Sequence, residues 1–263
     1  MNIAVCIKQV PDTTEIKIDP VKNTLIRKGV PSIMNPFDRH ALELALSLKD
    51  RYQAKVTVFS MGPQQAKSIL REAYAMGADE VFLITDRAFG GSDTFATSYI
   101  LSQALRLRGP FDLVLGGKQA IDGDTGQTAP SIAEHLGWAR IGQILALTVM
   151  GSTVSAQRLV DEGVELVEAE LPLVCTVVKE TNKPRYATIR TTLESLEMDI
   201  PELHLEDMVD SVDEGKIGLK GSPTKVKASF VPERTAQGVF LEGPPKEKAH
   251  VLMEELTAAK LLI

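Results

Sequence analysis

The densest cluster of residues able to hold a ligand is Leu113–Thr128, LVLGGKQAIDGDTGQT. A short apolar strand, Leu113–Leu115, runs into a polar loop, and the loop runs into a helix. Gly116, Gly117, Gly123 and Gly126 let the backbone turn tightly and let a ligand approach it closely. Asp122, Asp124, Thr125, Gln127 and Thr128 can all hydrogen-bond. A helix after such a loop aims its free N–H groups and the positive end of its dipole at the loop, which favours an anion. The chemistry indicated is a nucleotide whose phosphate sits on the helix start. Capping gives a second account. Asp124 with Gln127 three residues later is a variant capping box that needs no ligand.

Other chemistry is missing from the sequence. It holds no G-x-S-x-G elbow, no Walker A sequence and no G-x-G-x-x-G after a strand. His40, His135, His204 and His250 share no metal-ligand spacing, and C-x-x-C is absent. His40 and His135 are expected on helix surfaces or tails. No carboxylate pair stands out for acid–base work, so no catalytic residue and no metal ligand is assigned. Loops that hold a nucleotide without a catalytic set suit a cofactor carrier, in which the cofactor supplies the hard chemistry.

Composition narrows the class. The chain has 263 residues, 44% of them hydrophobic and 24% charged, which fits a globular protein with ample core. A net charge of −6 with no basic tract argues against nucleic acid. No apolar run approaches the ~20 residues of a membrane helix, and the N-terminus MNIAVCIKQV has no signal-peptide layout. Cys6 and Cys175 stand singly in apolar strands, which predicts buried free thiols and a reducing, cytoplasmic setting.

The elements that must position the loop alternate along residues 1–137. Strands are predicted at Asn2–Val10, Lys55–Ser60, Glu80–Thr85 and Leu113–Leu115. Helices are predicted from Pro36, over Gln64–Met76, Thr94–Leu107 and Thr128–Leu136, with Gly77 and Gly137 closing two of them. A small hairpin of Glu15–Ile18 with Leu25–Arg27 interrupts the series. The alternation predicts an α/β fold with a mostly parallel sheet and helices on both faces. Ligands bind such sheets beyond the C-terminal strand ends. Ile144–Met150, Thr153–Leu159, Val164–Ala169 and Leu173–Lys179 read as an antiparallel extension. From about Asp199 glycine and proline break the pattern repeatedly until a terminal helix, Lys246–Leu262. The division expected is a nucleotide-binding domain over residues 1–198 and a C-terminal arm over 199–263.

Five segments, in order and with ordinary spacing, resemble the β-subunit of electron-transfer flavoprotein. They are Val5–Asp12 (VCIKQVPD), Met34–Asp38 (MNPFD), Ser60–Pro63 (SMGP), Gly117–Asp124 (GKQAIDGD) and Asn182–Ile189 (NKPRYATI). The resemblance implies an adenine-nucleotide α-hydrolase-like fold, a heterodimer with an α-subunit that the arm packs on, and an adenine nucleotide buried in this chain. By position, Cys6, Asn35, Pro36, Phe37, Asp38 and Met61 line the adenosine pocket. Gly117, Lys118, Gln119, Ala120, Ile121, Asp122, Gly123, Asp124, Thr125, Gly126, Gln127 and Thr128 hold the phosphate. Helix capping is the plain alternative for Asn35, Pro36 and Asp38, and ordinary core for Cys6 and Met61.

The family divides by nucleotide. The respiratory type holds structural AMP, and the electron-bifurcating type holds a second FAD next to an NADH site. Asp86–Ser98 (DRAFGGSDTFATS) resembles the bifurcating type. Gly90 and Gly91 allow close approach, Ser92 or Asp93 can begin a helix whose N–H groups face a second phosphate, and Thr94 and Thr97 share one helical face. A plain N-cap accounts for the same residues. Ile189 stands where the family carries a hydrophobic anchor for dehydrogenases, whereas Thr191–Asp199 is acidic where the respiratory type is lysine-rich.

The reading is therefore a bifurcating-type β-subunit. NADH reduces the FAD held here. One electron passes to the α-subunit FAD and an acyl-CoA-type or 2-hydroxy-acid dehydrogenase, the other to ferredoxin or flavodoxin. Two alternatives accompany it: an AMP-holding single-FAD carrier, and a stand-alone adenine-nucleotide sensor.

Overall fold

Alternate residues of each central strand belong to opposite cores, and that fixes the layers. In a computed structural model, which describes residues 1–12, 18–19, 24–25, 31–209, 211–227 and 238–261, β1 (Asn2–Cys6) sends Ile3 and Val5 to one core and Ala4 to the other. After it come β2 (Gln9–Pro11), β3 (Ile18–Asp19), β4 (Thr24–Leu25) and β5 (Ser32–Met34). Then follow α1 (Pro36–Tyr52), β6 (Lys55–Met61), α2 (Lys67–Met76), β7 (Glu80–Ile84), α3 (Thr94–Arg108), β8 (Leu113–Gly117) and α4 (Thr128–Leu136). Four strands run on from there: β9 (Ala139–Met150), β10 (Thr153–Val160), β11 (Gly163–Glu170) and β12 (Leu173–Val177). The series closes with α5 (Ile189–Glu197), β13 (Glu202–Leu203), the one-turn α6 (Gly218–Gly221) and α7 (Pro245–Ala258).

Nine strands form one sheet in the order β11-β10-β9-β12-β8-β1-β6-β7-β13. All pairs from β9 to β13 in that order are parallel, and β10 and β11 add to β9 as antiparallel strands. Helices α1 and α2 supply Ala41, Leu42, Ala45, Ile69 and Leu70 to one core. Helices α3 and α4 supply Ile100, Ala104, Leu105, Ile132 and Ala133 to the other, where Phe59 stacks on Phe82 at 5.6 Å and meets Phe111 edge-on at 5.8 Å. The α/β class with helices on both faces is as expected. Gly77 and Gly137 terminate α2 and α4 at φ 126° and 71°, a conformation that glycine adopts without strain.

Three placements differ from the expectation. Strand β12 belongs to the parallel interior, between β8 and β9, and not to the antiparallel extension. All five of its residues are buried, as an interior strand covered on both faces requires. Strand β9 begins at Ala139. Its first residues pair parallel with β12 and its later ones antiparallel with β10, with Gln143 at φ 57° marking the irregularity between them. One strand thus serves two sheet types, which a search for a single periodicity misses. Third, the first compact unit runs from Met1 to Lys227, so residues 199–227 fold with it. There β13 pairs with β7 through Glu202↔Leu83 and Leu203↔Ile84.

In the excursion after β2, β3 pairs antiparallel with β4 (Ile18↔Leu25), and the rest of the expected hairpin lies outside the described residues. The second unit, Ala228–Ile263, contains α7, shorter than the Lys246–Leu262 predicted, with Val251, Leu252 and Met253 exposed. Among the described residues no helix is long and apolar enough to cross a membrane.

Candidate functional site

Parallel strands β1, β6 and β8 end on the same edge of the sheet. From β1 the chain moves to β6 through α1 on one face, and from β7 it returns to β8 through α3 on the other. β1 and β8 are therefore neighbours whose connections depart in opposite senses, the place where open α/β sheets bind ligands. A cleft of about 560 Å³ opens there, within the ordinary size of a small-molecule site.

Asp38, in the first turn of α1, ties the two strand ends together. One carboxylate oxygen accepts from the Lys8 amide at 2.8 Å and the other from the Gly117 amide at 3.0 Å. Burial pushes its pKa up to about 7, against the lowering effect of the bonds from Asn35, Lys8 and Gly117. Asn35, fully buried, stands at the N-cap of α1 but makes no side-chain cap. Its amide nitrogen instead donates to the Gln119 carbonyl at 2.8 Å, and its oxygen accepts from the Ile121 amide at 3.2 Å. The MNPFD segment thus fastens the glycine loop to the sheet. For Asn35 the structure replaces the capping account with a longer-range one, while Pro36 takes the first helical position.

The loop turns on itself through Asp124 N to Ala120 O at 2.9 Å, with Asp124 at φ 49° and Gly126 at φ 62°. The Asp124 carboxylate accepts from Gln119 Nε2 at 2.8 Å. It is not the cap of α4: the N-cap is Gln127, which makes no side-chain cap bond. The capping box expected of Asp124 and Gln127 is absent because α4 begins only at Thr128, four residues beyond Asp124. Thr128 and Ala129, the first residues of α4, line the cleft, and the helix start has no side-chain cap, the condition for an anion there. Lys8 Nζ pairs with Asp122 at 2.7 Å on the rim.

The start of α3 is different. Asp93 caps it, accepting from Ala96 N at 3.0 Å, and its other oxygen accepts from Thr224 N at 2.9 Å and Thr224 Oγ1 at 2.7 Å. Burial works to raise its pKa, but the bonds from Thr224 and Ala96 outweigh it and hold the carboxyl below its usual range. A carboxylate in that place claims the amide that a second phosphate was expected to use. This corrects the reading of α3 as a free helix start. Thr94 and Thr97 nonetheless line the cleft, with Thr94 Oγ1 3.4 Å from Thr125 Oγ1.

Of the residues singled out in the sequence, Cys6, Asp38, Met61, Gly91, Asp93, Thr94, Thr97, Gly117–Ala120, Gly123–Gly126 and Thr128 line the cleft. Asn35, Pro36, Phe37, Gly90, Ile121, Asp122 and Gln127 do not. Asn35 acts behind the loop, and the Phe37 ring lies under Lys179 Nζ at 4.5 Å. Ser92, offered as an alternative helix start, lines the cleft too, and sequence reasoning missed Leu101, Ile132 and Gln65 as lining residues. Leu101 follows Thr97, and Ile132 follows Thr128, by one helical turn, so the i, i+4 rule applied to the assigned threonines finds both. Both cysteines are free thiols, Cys175 buried and Cys6 partly so, and burial pushes each up to about 12, which makes them inert.

His135 stands in the last turn of α4, a helix tail as expected. It is partly buried against Phe95 (5.2 Å) and Tyr99 (5.5 Å), and that burial lowers its pKa. His40 faces Asn182, with Nδ1 3.1 Å from Oδ1. Among the described residues no cluster of His, Cys, Asp or Glu could hold a metal.

Outside the cleft, Arg185 grips Glu43 of α1 through its backbone amide (2.9 Å), Nε (2.9 Å) and guanidinium (3.0 Å), and reaches Asp50 at 2.8 Å. The bonds to Glu43 raise the Arg185 pKa further. Thr188 and Thr191 form a capping box at the start of α5. Ile189 is 84% exposed beside Tyr186 at 91%, on a segment that is itself anchored.

Comparison with known proteins agrees with this layout. Residues 22–207 match the family described as Electron transfer flavoprotein domain. The chain is 49% identical over 256 residues to the electron transfer flavoprotein subunit beta of Clostridium acetobutylicum, covering 97% of this chain and 98% of that one. It is 48% identical to the protein of the same name from Megasphaera elsdenii, over the whole of both. It is 44% identical to the caffeyl-CoA reductase-Etf complex subunit CarD of Acetobacterium woodii, over 92% of each.

Proposed function

Since the chain belongs to the electron-transfer flavoprotein family, as a β-subunit, we propose that its cleft holds FAD in a heterodimer of the bifurcating type. When bound, FAD would supply the redox chemistry: hydride from NADH, one electron to the α-subunit FAD and an acyl-CoA-type or 2-hydroxy-acid dehydrogenase, and the other to ferredoxin or flavodoxin. The relative named as a subunit of a caffeyl-CoA reductase complex supports an acyl-CoA-type partner.

This chain's residues bind and orient. The adenosine end fits between the ends of β1 and β6, where Cys6 and Met61 form an apolar floor and backbone groups do the hydrogen bonding. The phosphate fits the Gly117–Thr128 loop and the uncapped start of α4. Gly117 lets Asp38 and Phe37 pack directly on the strand end, since they fill the space a side chain there would need. Asn35 keeps the loop in register. No side chain here has to take a proton.

One observation carries the FAD reading. The cleft of about 560 Å³ is lined by Thr94, Thr97 and Leu101 of α3 in addition to the strand ends and the phosphate loop, more wall than an adenylate held by those two alone requires. The second reading, structural AMP, is favoured by Asp93. With its carboxylate at the start of α3, one open phosphate-binding helix start remains, and AMP needs only one. Acid extraction of the purified heterodimer separates them. Two FAD per heterodimer supports the proposal, and one FAD with one AMP replaces it with the respiratory type.

A further inference from the structure

The α3 wall of the cleft is held from far along the chain. Ser92 Oγ accepts from Gly218 N at 3.1 Å, and Leu219 N donates to Gly90 O at 3.1 Å. Ser222, buried, accepts from Asp93 N at 2.8 Å and donates to Gly218 O at 2.7 Å. Thr224 gives both its amide and its hydroxyl to Asp93. The packing is backbone on backbone. Gly218 has φ 59°, and a side chain there would run into the Ala88 carbonyl, while a Cβ on Gly91 would lie 3.2 Å from that of Leu219. Asp93 is the pivot, since one oxygen starts α3 and the other receives the 217–224 segment. Thr94 and Thr97 follow it directly into the cleft.

We propose that residues 217–224 are a strap that positions the α3 wall, with Thr224 as the positioning residue for Asp93, so that the cleft retains an extended dinucleotide better than a mononucleotide. This rests on the FAD reading for what the wall touches. The strap acts on the α3 side of the ligand, because its bonds reach Gly90, Gly91, Ser92 and Asp93 and do not extend to Gly117–Thr128.

The test uses the heterodimer freed of nucleotide, titrated with FAD and with AMP. Thr224→Val keeps the shape and removes the hydroxyl, and Thr224→Ser restores a donor. The expected result is a five- to tenfold loss of FAD affinity in T224V, the upper end of the net worth of one ordinary hydrogen bond. AMP affinity stays within about twofold, and T224S recovers FAD affinity. Hydrogen exchange at the Ala96 amide, which Asp93 accepts, is expected to quicken in T224V and not in T224S. FAD and AMP affinities falling together, FAD affinity unmoved, or Ala96 exchange unchanged each overturns the proposal. A wild type that takes AMP and refuses FAD defeats the FAD reading, and the strap is then decided by the exchange measurement alone.

Discussion

The Asp38 carboxylate occupies the space that a Cβ on residue 117 would need. The same carboxylate accepts the Gly117 amide at 3.0 Å, and the missing Cβ would also come within 2.6 Å of Phe37 Cβ. The contact that joins β1 to β8 at the mouth of the cleft therefore depends on glycine at that position.

Gly117→Ala is expected to destabilise the protein by about 1–3 kcal/mol, because backbone on one side and a buried carboxylate on the other cannot both withdraw. Nucleotide should be lost on dialysis as well. Thermal unfolding together with the ultraviolet spectrum of the dialysed protein checks both effects, and a stable, fully loaded G117A rules the relationship out.

Asp38 also makes stability depend on pH. Its folded pKa of about 7 lies above the ordinary 3.8, so between those values the folded protein holds a proton that the unfolded chain has released. Stability from this group is greatest below about pH 4, falls as pH rises, and levels off above about pH 7, with a slope of at most about 1.4 kcal/mol per unit. Asp38→Asn has no such titration. The stability difference between wild type and D38N in nucleotide-free urea unfolding should shrink from pH 4 to 7, and a difference that stays flat contradicts the assignment.

Arg185→Ala leaves Glu43, which is 6% exposed, with its main cationic partner removed. A cost of about 1–3 kcal/mol follows from an under-satisfied buried carboxylate. Because Arg185 anchors the segment leading to Ile189, the variant should also associate more slowly with a dehydrogenase. Surface plasmon resonance against that enzyme reads the second effect, and equal association rates argue against the anchoring role.

Ile189→Ala removes an exposed side chain that begins α5 and contributes nothing to either core. Unfolding should move by less than about 0.5 kcal/mol. Affinity for the dehydrogenase should fall by about 1–2 kcal/mol if this is a docking anchor. Full affinity in I189A, measured by calorimetry, takes that role away from it.

How legible the chain was differed from residue to residue. The alternation of strands and helices up to Gly137 gave the parallel sheet, because each element carries one period and ends at glycine or proline. Strand β9 was half missed, since irregularities in it let Ile141, Ile144 and Leu147 all face one core at a spacing of three, which a period of two does not reveal. β12 was placed in the wrong half of the sheet because sequence order put it after a hairpin, although its unbroken run of apolar and small residues marks an interior strand. At the site, the glycine loop showed itself by composition, and the i, i+4 companions Leu101 and Ile132 were within reach of the same reasoning. Residues 217–224 were not. Ser222 and Thr224 act on Asp93 from about 130 positions away, and no local pattern announces such a bond.

That distance bears on how the protein is made. Among the described residues the last one bracing the cleft is Thr224, 131 positions after the aspartate it holds. A nascent polypeptide on the ribosome can lay down the sheet as far as β12, yet the α3 side of its cleft stays unbraced until residues 217–224 have been made.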